Sequence, residues 1–408
     1  MMKTPIEPGT AENPAGLPLV PPATREASIP VIRAIELKAY QYRPAEGAIY
    51  GNSKSMGNFP TRSSVVQIET TDGIFGFGEA GGSPAILREQ LALVSSEFLG
   101  RSLFDFDVIR SAILNRRYHS GVQNEIVGLL GGIDVAILDA IGKTFGVRVC
   151  DLIGGCRRSR IPVYASTGYF SDDPQNTFED MLRGVAGSGF LGAKIKIGRG
   201  IRSDVERVAT AREILGSDIL LIADINAAYT QGTALQAITE LARFNLHWIE
   251  EPLPPREWRS YAELRARSPV PLSAGEALYT SSEFNTLISE RCVDIVQPSI
   301  ASTGGLRESK SIAFLAELAN LRVAPHVWGS GLAVAVGVHF CATLPDYPNP
   351  DYPAWPTLLE FDTGIENPLR DKMLKVPVRL SESHVDLPSG SGLGVDIDWD
   401  AIDQFRIF

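Results

Sequence analysis

The chain has 408 residues, of which 44% are hydrophobic and 21% are charged, a composition typical of a globular protein with a large buried core. Its formal net charge of −10 argues against a nucleic-acid partner, because phosphate contacts need clustered lysine and arginine. The longest apolar run, at residues 126–138, is shorter than the roughly 20 residues that span a bilayer, so no membrane partner is expected. The length predicts two or three domains, or one large barrel with an appendage.

Four scattered cysteines form no C-x-x-C pair, which argues against a disulfide framework and against a zinc knuckle. The N-terminus shows no basic region followed by an apolar segment, so no secretory signal is predicted. We therefore expect a cytoplasmic protein with reduced thiols.

The first part of the chain predicts a leader followed by a small domain. Residues 1–29 contain six prolines and no apolar periodicity, which predicts a flexible Pro-rich leader. From 30 to 155, β-rich runs with a hairpin signal at Thr71-Asp72-Gly73 precede helical stretches, a pattern typical of an α+β domain. A segment at 45–61 that is rich in Gly, Ser and Asn predicts a long loop, which in a compact domain is often functional.

The middle of the chain has a different rhythm. Between residues 156 and 367, eight short β-rich runs alternate with helical stretches at spacings of about 23 to 35 residues. Such alternation indicates a parallel sheet, and eight repeats predict a (β/α)8 barrel. The turn-rich tail, 368–408, is expected to return to the first domain. The predicted fold is therefore α/β, a (β/α)8 barrel with an α+β capping domain built from the N-terminal region and the C-terminal tail.

Acidic residues stand at the ends of three successive predicted strands. Asp224, Glu250 and Glu276 are spaced by 26 and 26 residues, one βα step each, and the reacting groups of such barrels lie at these strand ends. Three converging carboxylates need a cation, because like charges in a poorly solvated cavity cannot all stay ionised unaided. Oxygen ligands suit a hard ion, which predicts Mg²⁺, with Mn²⁺ as the alternative. The competing interpretation is that each acid pairs with a basic residue or caps a helix.

Two lysines share one face of the strand before these acids. Lys194 and Lys196 lie two residues apart in an otherwise apolar run. A nearby dication and a neighbouring ammonium both lower a lysine pKa, so one of the pair is predicted to be neutral near pH 7 and to act as a base. Lys196, nearer the strand end, is favoured as the base, and Lys194 as a partner that tunes it or binds a substrate oxygen. Solvated lysines without a catalytic role are the alternative.

Later strand ends supply further candidates. His326 ends the seventh predicted strand and is expected to act in catalysis from across the barrel. Glu360 ends the eighth, where it is either a helix cap, a member of an ion pair, or a catalytic acid on the rim that polarises a substrate carboxylate. Asn226, on the same face as Asp224, and Trp328, close to His326, are candidate substrate contacts.

The strand-end segments together resemble one family. "KIKIG", "ADIN", "IEEP", "SAGE" and "APHVWG" resemble the enolase superfamily in its mandelate racemase-like branch, over about residues 30–408. The stretch from "LLEFD" to the end is most similar to acid-sugar dehydratases and galactarolactone cycloisomerases. The resemblance implies Asp224, Glu250 and Glu276 as Mg²⁺ ligands, Lys196 and His326 as acid–base residues, Glu360 as an acid, a small acid-sugar substrate and a homo-oligomer.

One position departs from the family pattern. The family usually has an Asp after "QP" at strand six, paired with the histidine, and here Ser299 stands there and is also a candidate substrate contact. A neutral hydroxyl stabilises an imidazolium less than a carboxylate does.

Three hypotheses follow from these residues. The first is abstraction of the proton α to a carboxylate, giving an enediolate, with β-elimination in a dehydratase or lactone cycloisomerase. The second is a racemase or epimerase of a 2-hydroxy acid, which the weakened histidine face disfavours. The third is a barrel that binds a metal and an acidic ligand without turnover, for which Ser299 is the argument.

Overall fold

The structure is a computed structural model that describes residues 30–44, 48–49, 60–121, 124–173, 176–349, 352–363 and 366–408. The predicted leader at 1–29 and most of the predicted loop at 45–61 lie outside the described residues. In the described part of the chain, no helix is both long enough and apolar enough to cross a bilayer.

The N-terminal part is a three-stranded antiparallel sheet covered by helices. Thr71-Asp72-Gly73 turns between the second and third of these strands, which confirms the predicted hairpin. The elements in chain order are β1 (Ile32–Tyr42), β2 (Ala48–Ile49), β3 (Thr61–Thr70), β4 (Phe75–Glu79), α1 (Pro84–Phe98), α2 (Phe106–Arg116), α3 (Glu125–Phe145) and α4 (Val149–Leu152).

Helix α3 packs closely on the sheet because glycines face it. Asn124 caps its first turn by accepting a hydrogen bond from the Ile126 amide, and Gly146 ends it in a left-handed conformation. A Cβ at Gly78 of β4 would lie 2.2 Å from the carbonyl oxygen of Gly132 in α3, so only glycine permits this approach. The result is a rigid layer that fixes where β4 ends.

The middle of the chain forms eight parallel strands alternating with helices, which confirms the predicted (β/α)8 barrel. All eight β-rich runs singled out in the sequence are strands in the structure. The elements are β5 (Arg160–Ser166), β6 (Phe170–Ser171), α5 (Phe178–Val185), β7 (Gly192–Lys196), α6 (Ile201–Leu215), β8 (Leu220–Asp224), α7 (Gln231–Leu241), β9 (Trp248–Glu250), α8 (Trp258–Arg265), β10 (Leu272–Ala274), α9 (Thr280–Ser289), β11 (Ile295–Val296), α10 (Ile300–Thr303), α11 (Leu306–Leu318), β12 (Arg322–Val323), α12 (Gly331–Cys341), β13 (Tyr347–Asn349), β14 (Tyr352–Trp355) and β15 (Leu359–Asp362).

The barrel strands follow the order β12, β11, β10, β9, β8, β7, β5, β15. The two ends of this row meet through a hydrogen bond of 3.1 Å from the Val327 amide, after β12, to a carboxylate oxygen of Glu360 in β15. Ile195 in β7 and Ala223 in β8 belong to the hydrophobic core between the strands and the surrounding helices. Because side chains alternate along a strand, the residues on either side of them face the barrel interior.

The tail contacts both parts of the molecule. It contains α13 (Pro368–Asp371), β16 (Leu380–Ser381), β17 (His384–Asp386) and α14 (Trp399–Ile402). Strand β17 pairs antiparallel with β5 of the barrel, and the last residues hydrogen-bond to Ala39 in β1. The C-terminal residues thus pack on the N-terminal capping domain. The domain boundaries at 29/30, 155/156 and 367/368 stay predictions.

Candidate active site

The register of the sheet aligns three predicted site residues. Lys196 at the end of β7 pairs with Asp224 at the end of β8, and Asp224 pairs with Glu250 at the end of β9. The three side chains therefore leave the sheet at one level and on one face. This alignment is the geometric basis of the site.

Two ion pairs link the lysines to these acids. Lys196 Nζ lies 2.5 Å from Asp224 Oδ2. Lys194 Nζ lies 2.5 Å from Glu250 Oε1 and 2.7 Å from Glu360 Oε1. The Lys194 side chain is 1% exposed and that of Lys196 is 11% exposed. Only Lys196 therefore reaches accessible space, whereas Lys194 is sealed beneath the site.

The electrostatics of the two lysines depend on the carboxylates beside them. Burial alone would lower the pKa of Lys196, but the adjacent Asp224 carboxylate raises it above its usual value. Burial likewise opposes the charge of Lys194, yet Glu250 and Glu360 raise its pKa well above the usual range. Without a cation, each ammonium has a carboxylate at hydrogen-bond distance, which accounts for the raised pKa of both lysines. The lowering of a lysine pKa beside a bound dication stays a prediction.

Glu250 is held by a buried network. Its Oε2 accepts hydrogen bonds from Gln297 Nε2 at 2.6 Å and from Trp248 Nε1 at 3.3 Å. Burial raises the pKa of Glu250 to about 7, and Lys194 only partly offsets the combined effect of burial and of neighbours such as Asp224. Sequence reasoning missed Gln297, although its place before Pro298 at the end of strand six was a usable signal.

Glu360 forms an ion pair with Lys194, one of the alternatives that the sequence left open, and its role as an acid stays a prediction. Burial would raise its pKa, but the neighbouring Lys194 and His326 side chains lower it to about 2. The carboxylate is 1% exposed and already accepts the Val327 amide as well as Lys194. An ionised, fully bonded carboxylate is placed to hold Lys194 in position rather than to donate a proton.

The ring of His326 has few hydrogen-bond partners among the described residues. His326 Nε2 lies 3.5 Å from Glu276 Oε2. Its other ring nitrogen, Nδ1, is buried and has no hydrogen-bond partner among the described residues. Ser299, which follows strand six (β11), is joined to His326 by an isolated parallel β-bridge.

The remaining candidates lie around this centre. The Asn226 amide donates to Asp224 Oδ1 at 2.9 Å, so Asn226 positions that acid. Trp328 packs against Tyr169 and Met181, and the Lys196 ammonium lies 5.7 Å from the centre of the Tyr169 ring. Tyr169 was missed by sequence reasoning because it lies after its strand, outside the strand-end pattern.

The arrangement leaves negative charge in excess. The two lysines face a larger set of carboxylates: Asp224, Glu250, Glu251, Glu276 and Glu360. Glu251 is 6% exposed, and burial together with Glu276 and Asp224 raises its pKa well above the usual value. Within the described ranges, no three acidic, histidine or cysteine side chains already converge as a metal cage. The oxygen donors and the uncompensated charge nevertheless fit a hard divalent cation.

A small cavity adjoins the histidine. Its volume is about 30 Å³, and Ser299, His326, Trp328 and the cap residue Glu79 contribute to its lining. The site is thus formed at the barrel mouth where the cap meets strands six and seven.

The fold and the site together define a class of barrel enzymes in which lysines and acids stand at successive strand ends. The comparison with known protein families identifies that class. Residues 53–154 match the Mandelate racemase / muconate lactonizing enzyme, N-terminal domain, and residues 177–401 match the Enolase C-terminal domain-like family. The chain belongs to the enolase superfamily, in its mandelate racemase-like branch.

Individual relatives narrow the class. The chain is 34% identical over 353 residues to D-galactarolactone cycloisomerase of Agrobacterium fabrum, covering 86% of this chain and 93% of that protein. It is 28% identical to arabinonate dehydratase of Saccharolobus solfataricus, over 86% and 93% of the two chains. The crystal structure of 3,6-anhydro-D-galactonate cycloisomerase from Zobellia galactanivorans superposes with a TM-score of 0.82, at 29% identity, over 93% of this chain and 100% of that one. The chain is an enzyme of the lyase or isomerase class, so the hypothesis of a barrel without turnover is not retained.

Proposed function

We propose that this enzyme removes the proton α to the carboxylate of an acid sugar and then eliminates the β-oxygen, as a dehydratase or a lactone cycloisomerase. The observation that carries the proposal is the aligned row of Lys196, Asp224 and Glu250, in which only the lysine with the accessible ammonium stands at the strand end. The relatives named as cycloisomerase and dehydratases support this substrate class.

Asp224, Glu250 and Glu276 are proposed to hold Mg²⁺, with Mn²⁺ as the alternative. Their oxygens are the donors that a hard cation prefers, and the raised pKa of Glu250 reflects charge that a cation would neutralise. When bound, the cation supplies positive charge that stabilises the negative charge developing on the substrate carboxylate and offsets the raised pKa of Lys196.

Lys196 is proposed as the base. With Lys196 in its neutral amine form, the Cα–H bond of the substrate breaks, its proton passes to the lone pair of Nζ, and the electron pair stays on the substrate as the enediolate. Lys194 is proposed to act through its charge alone. Its ammonium, held by Glu250 and Glu360, adds a fixed positive charge that stabilises the negative charge developing on the substrate.

His326 is proposed to complete the elimination. As the Cβ–O bond breaks and its electron pair goes to the leaving oxygen, the protonated His326 ring gives the proton on Nε2 to that oxygen and becomes neutral, with its remaining proton on Nδ1. The oxygen departs as water in a dehydratase or stays attached as the opened ring oxygen in a cycloisomerase. Asn226, Ser299 and Trp328 are proposed substrate contacts at the rim. The predicted cytoplasmic location and homo-oligomeric state are retained as proposals.

A racemase or epimerase is the second candidate. It is supported by the presence of a proton-carrying group on each side of the site, Lys196 and His326, and by 27% identity to N-succinyl-L-Arg/Lys racemase of Bacillus cereus. Ser299 weakens this candidate, because a neutral hydroxyl stabilises an imidazolium less than a carboxylate does, and racemisation needs efficient proton transfer on both faces.

The experiment is proton NMR in D₂O with Mg²⁺ over hexonates, hexarates and their lactones. A deoxy-methylene signal that grows as substrate disappears supports elimination and identifies the sugar. Deuterium at the α-carbon without elimination supports the racemase instead. Lys196→Met should abolish both signals, whereas the matched control Lys375→Met, at an exposed position, should leave them unchanged.

A further inference from the structure

One buried carboxyl group of the capping domain, that of Glu79, lies beside His326 at the edge of the site. Glu79 ends β4, is 8% exposed and lines the same cavity as Ser299 and His326. A barrel residue holds this carboxyl group in place, because the Ser330 hydroxyl at the start of α12 donates a hydrogen bond to Glu79 Oε2. Glu79 plays no part in the proton transfers proposed above.

The cavity has the size of a water site, and three polar side chains interrupt its otherwise mostly apolar lining. A buried water needs about 10–15 Å³ and two to four polar partners, and this cavity measures about 30 Å³. Glu79, His326 and Ser299 can supply those partners. A buried ring nitrogen without a hydrogen bond is costly, which favours occupation of the space by water.

We propose that one water molecule in this cavity bridges the Glu79 carboxyl group and Nδ1 of His326, so that Glu79 replaces the strand-six acid that Ser299 does not provide. Glu79 is thereby a positioning residue: it keeps a proton on Nδ1 in both the neutral and the protonated ring, so that Nε2 is the nitrogen that takes up a proton and then gives it to the substrate. The expected effect of Glu79 on catalysis rests on the proposed function, whereas the bridging water and the tautomer of His326 do not depend on it.

The state of Glu79 suits this bridge. Burial raises its pKa to about 7, with the Ser330 hydroxyl opposing that rise. A carboxyl group near its pKa at neutral pH can both accept and return a proton through a bridging water. Ser299 alone offers a neutral hydroxyl, which holds a histidine tautomer less strongly than a carboxylate does.

The direct test is a high-resolution crystal structure of the full chain together with ¹⁵N-histidine NMR. We expect one ordered water within hydrogen-bond distance of His326 Nδ1 and a Glu79 oxygen, and an Nδ1–H tautomer for the His326 ring. In Glu79→Met, which removes both oxygens but keeps the chain length, the water should be lost and the Nε2–H tautomer should grow. An empty cavity, or the same tautomer in both proteins, would overturn the proposal.

Kinetics test the functional consequence. Glu79→Met should lower kcat by about 10- to 100-fold with KM changed less than about twofold, the range for lost orienting partners. Glu79→Gln, which keeps one acceptor oxygen, should lose less, and Ser299→Asp in the Glu79→Met background should restore most of kcat. If Ser299→Asp does not restore kcat, the replacement of the strand-six acid by Glu79 is wrong.

The matched control is Glu308→Gln, which removes another buried carboxyl between cap and barrel. Glu308 lies 2.7 Å from Arg110 of α2 and does not line the cavity, so we expect lower stability with unchanged kcat. If no acid sugar is turned over at all, the proposed function fails, while the water and the tautomer still decide the role of Glu79.

Discussion

Ser299 and His326 are joined by a parallel β-bridge, yet the Nδ1 atom of His326 is buried without a hydrogen-bond partner among the residues that the structure describes. Ser299→Asp would place a carboxylate at this strand end. We expect faster deuterium exchange at the substrate α-carbon from the histidine side, because a carboxylate stabilises the imidazolium. Stereospecific exchange followed by NMR in D₂O measures this. Ser299→Asn, neutral and of the same size, is the control, and an equal gain in both variants would show that charge is not the cause.

The two lysines should differ in their contribution to stability. Lys194→Met leaves Glu250 and Glu360 as buried carboxylates without their cation, which should lower the free energy of unfolding by about 3–5 kcal/mol. Lys196→Met should cost less, because Lys194 still lies 3.8 Å from Asp224 and the Asn226 amide still bonds it. Urea unfolding of the metal-free proteins measures both. Equal losses would contradict the distinction between a sealed lysine and an accessible one.

Divalent cations should stabilise the folded protein. A cation that binds the native site at 100 times its Kd adds about 2.7 kcal/mol to the free energy of unfolding, so Tm should rise with Mg²⁺ and fall on chelation. Glu250→Gln should reduce this effect, because it removes one anionic oxygen donor. Thermal scans with and without Mg²⁺ provide the measurement. Glu240→Gln, at an exposed position of α7, is the control, and a Tm shift lost in both variants would point to binding elsewhere.

His339 should make the protein sensitive to acid. The Cys150 amide donates to its Nδ1 at 3.2 Å, so the ring proton is on Nε2, which lies 3.0 Å from the Leu393 carbonyl oxygen. Burial lowers the pKa of His339 from 6.5 to about 4. The unfolded chain therefore takes up a proton first, and stability is lost as the pH falls from about 6.5 to 4.

The loss from His339 should reach about 3 kcal/mol at pH 4, at 1.36 kcal/mol for each unit of pKa difference. His339→Gln should flatten this part of the pH profile, measured by urea unfolding between pH 4 and 7. His119→Gln, at an exposed ring, controls for the loss of one imidazole. Parallel profiles for the wild type and His339→Gln would contradict the assignment.

The barrel and the strand ends at which the candidates lie could be predicted from the sequence. Each strand is a short β-rich run and each βα step repeats at nearly constant spacing, so the 26-residue intervals between Asp224, Glu250 and Glu276 follow from local periodicity. The same alternation predicted that Lys194 and Lys196 share the inner face, where the structure has them.

Which charged side chains form ion pairs could not be predicted from the sequence, because it depends on the tertiary structure. The interstrand register set Lys196 against Asp224, and the folded barrel interior brought Lys194 to Glu250 and Glu360. These contacts raise the pKa of both lysines when no cation is bound. The docking of the cap brought Glu79 to the cavity beside His326, across 247 residues of sequence. Periodicity is a property of neighbouring residues, whereas ion pairing depends on distances across strands and domains that local sequence does not encode.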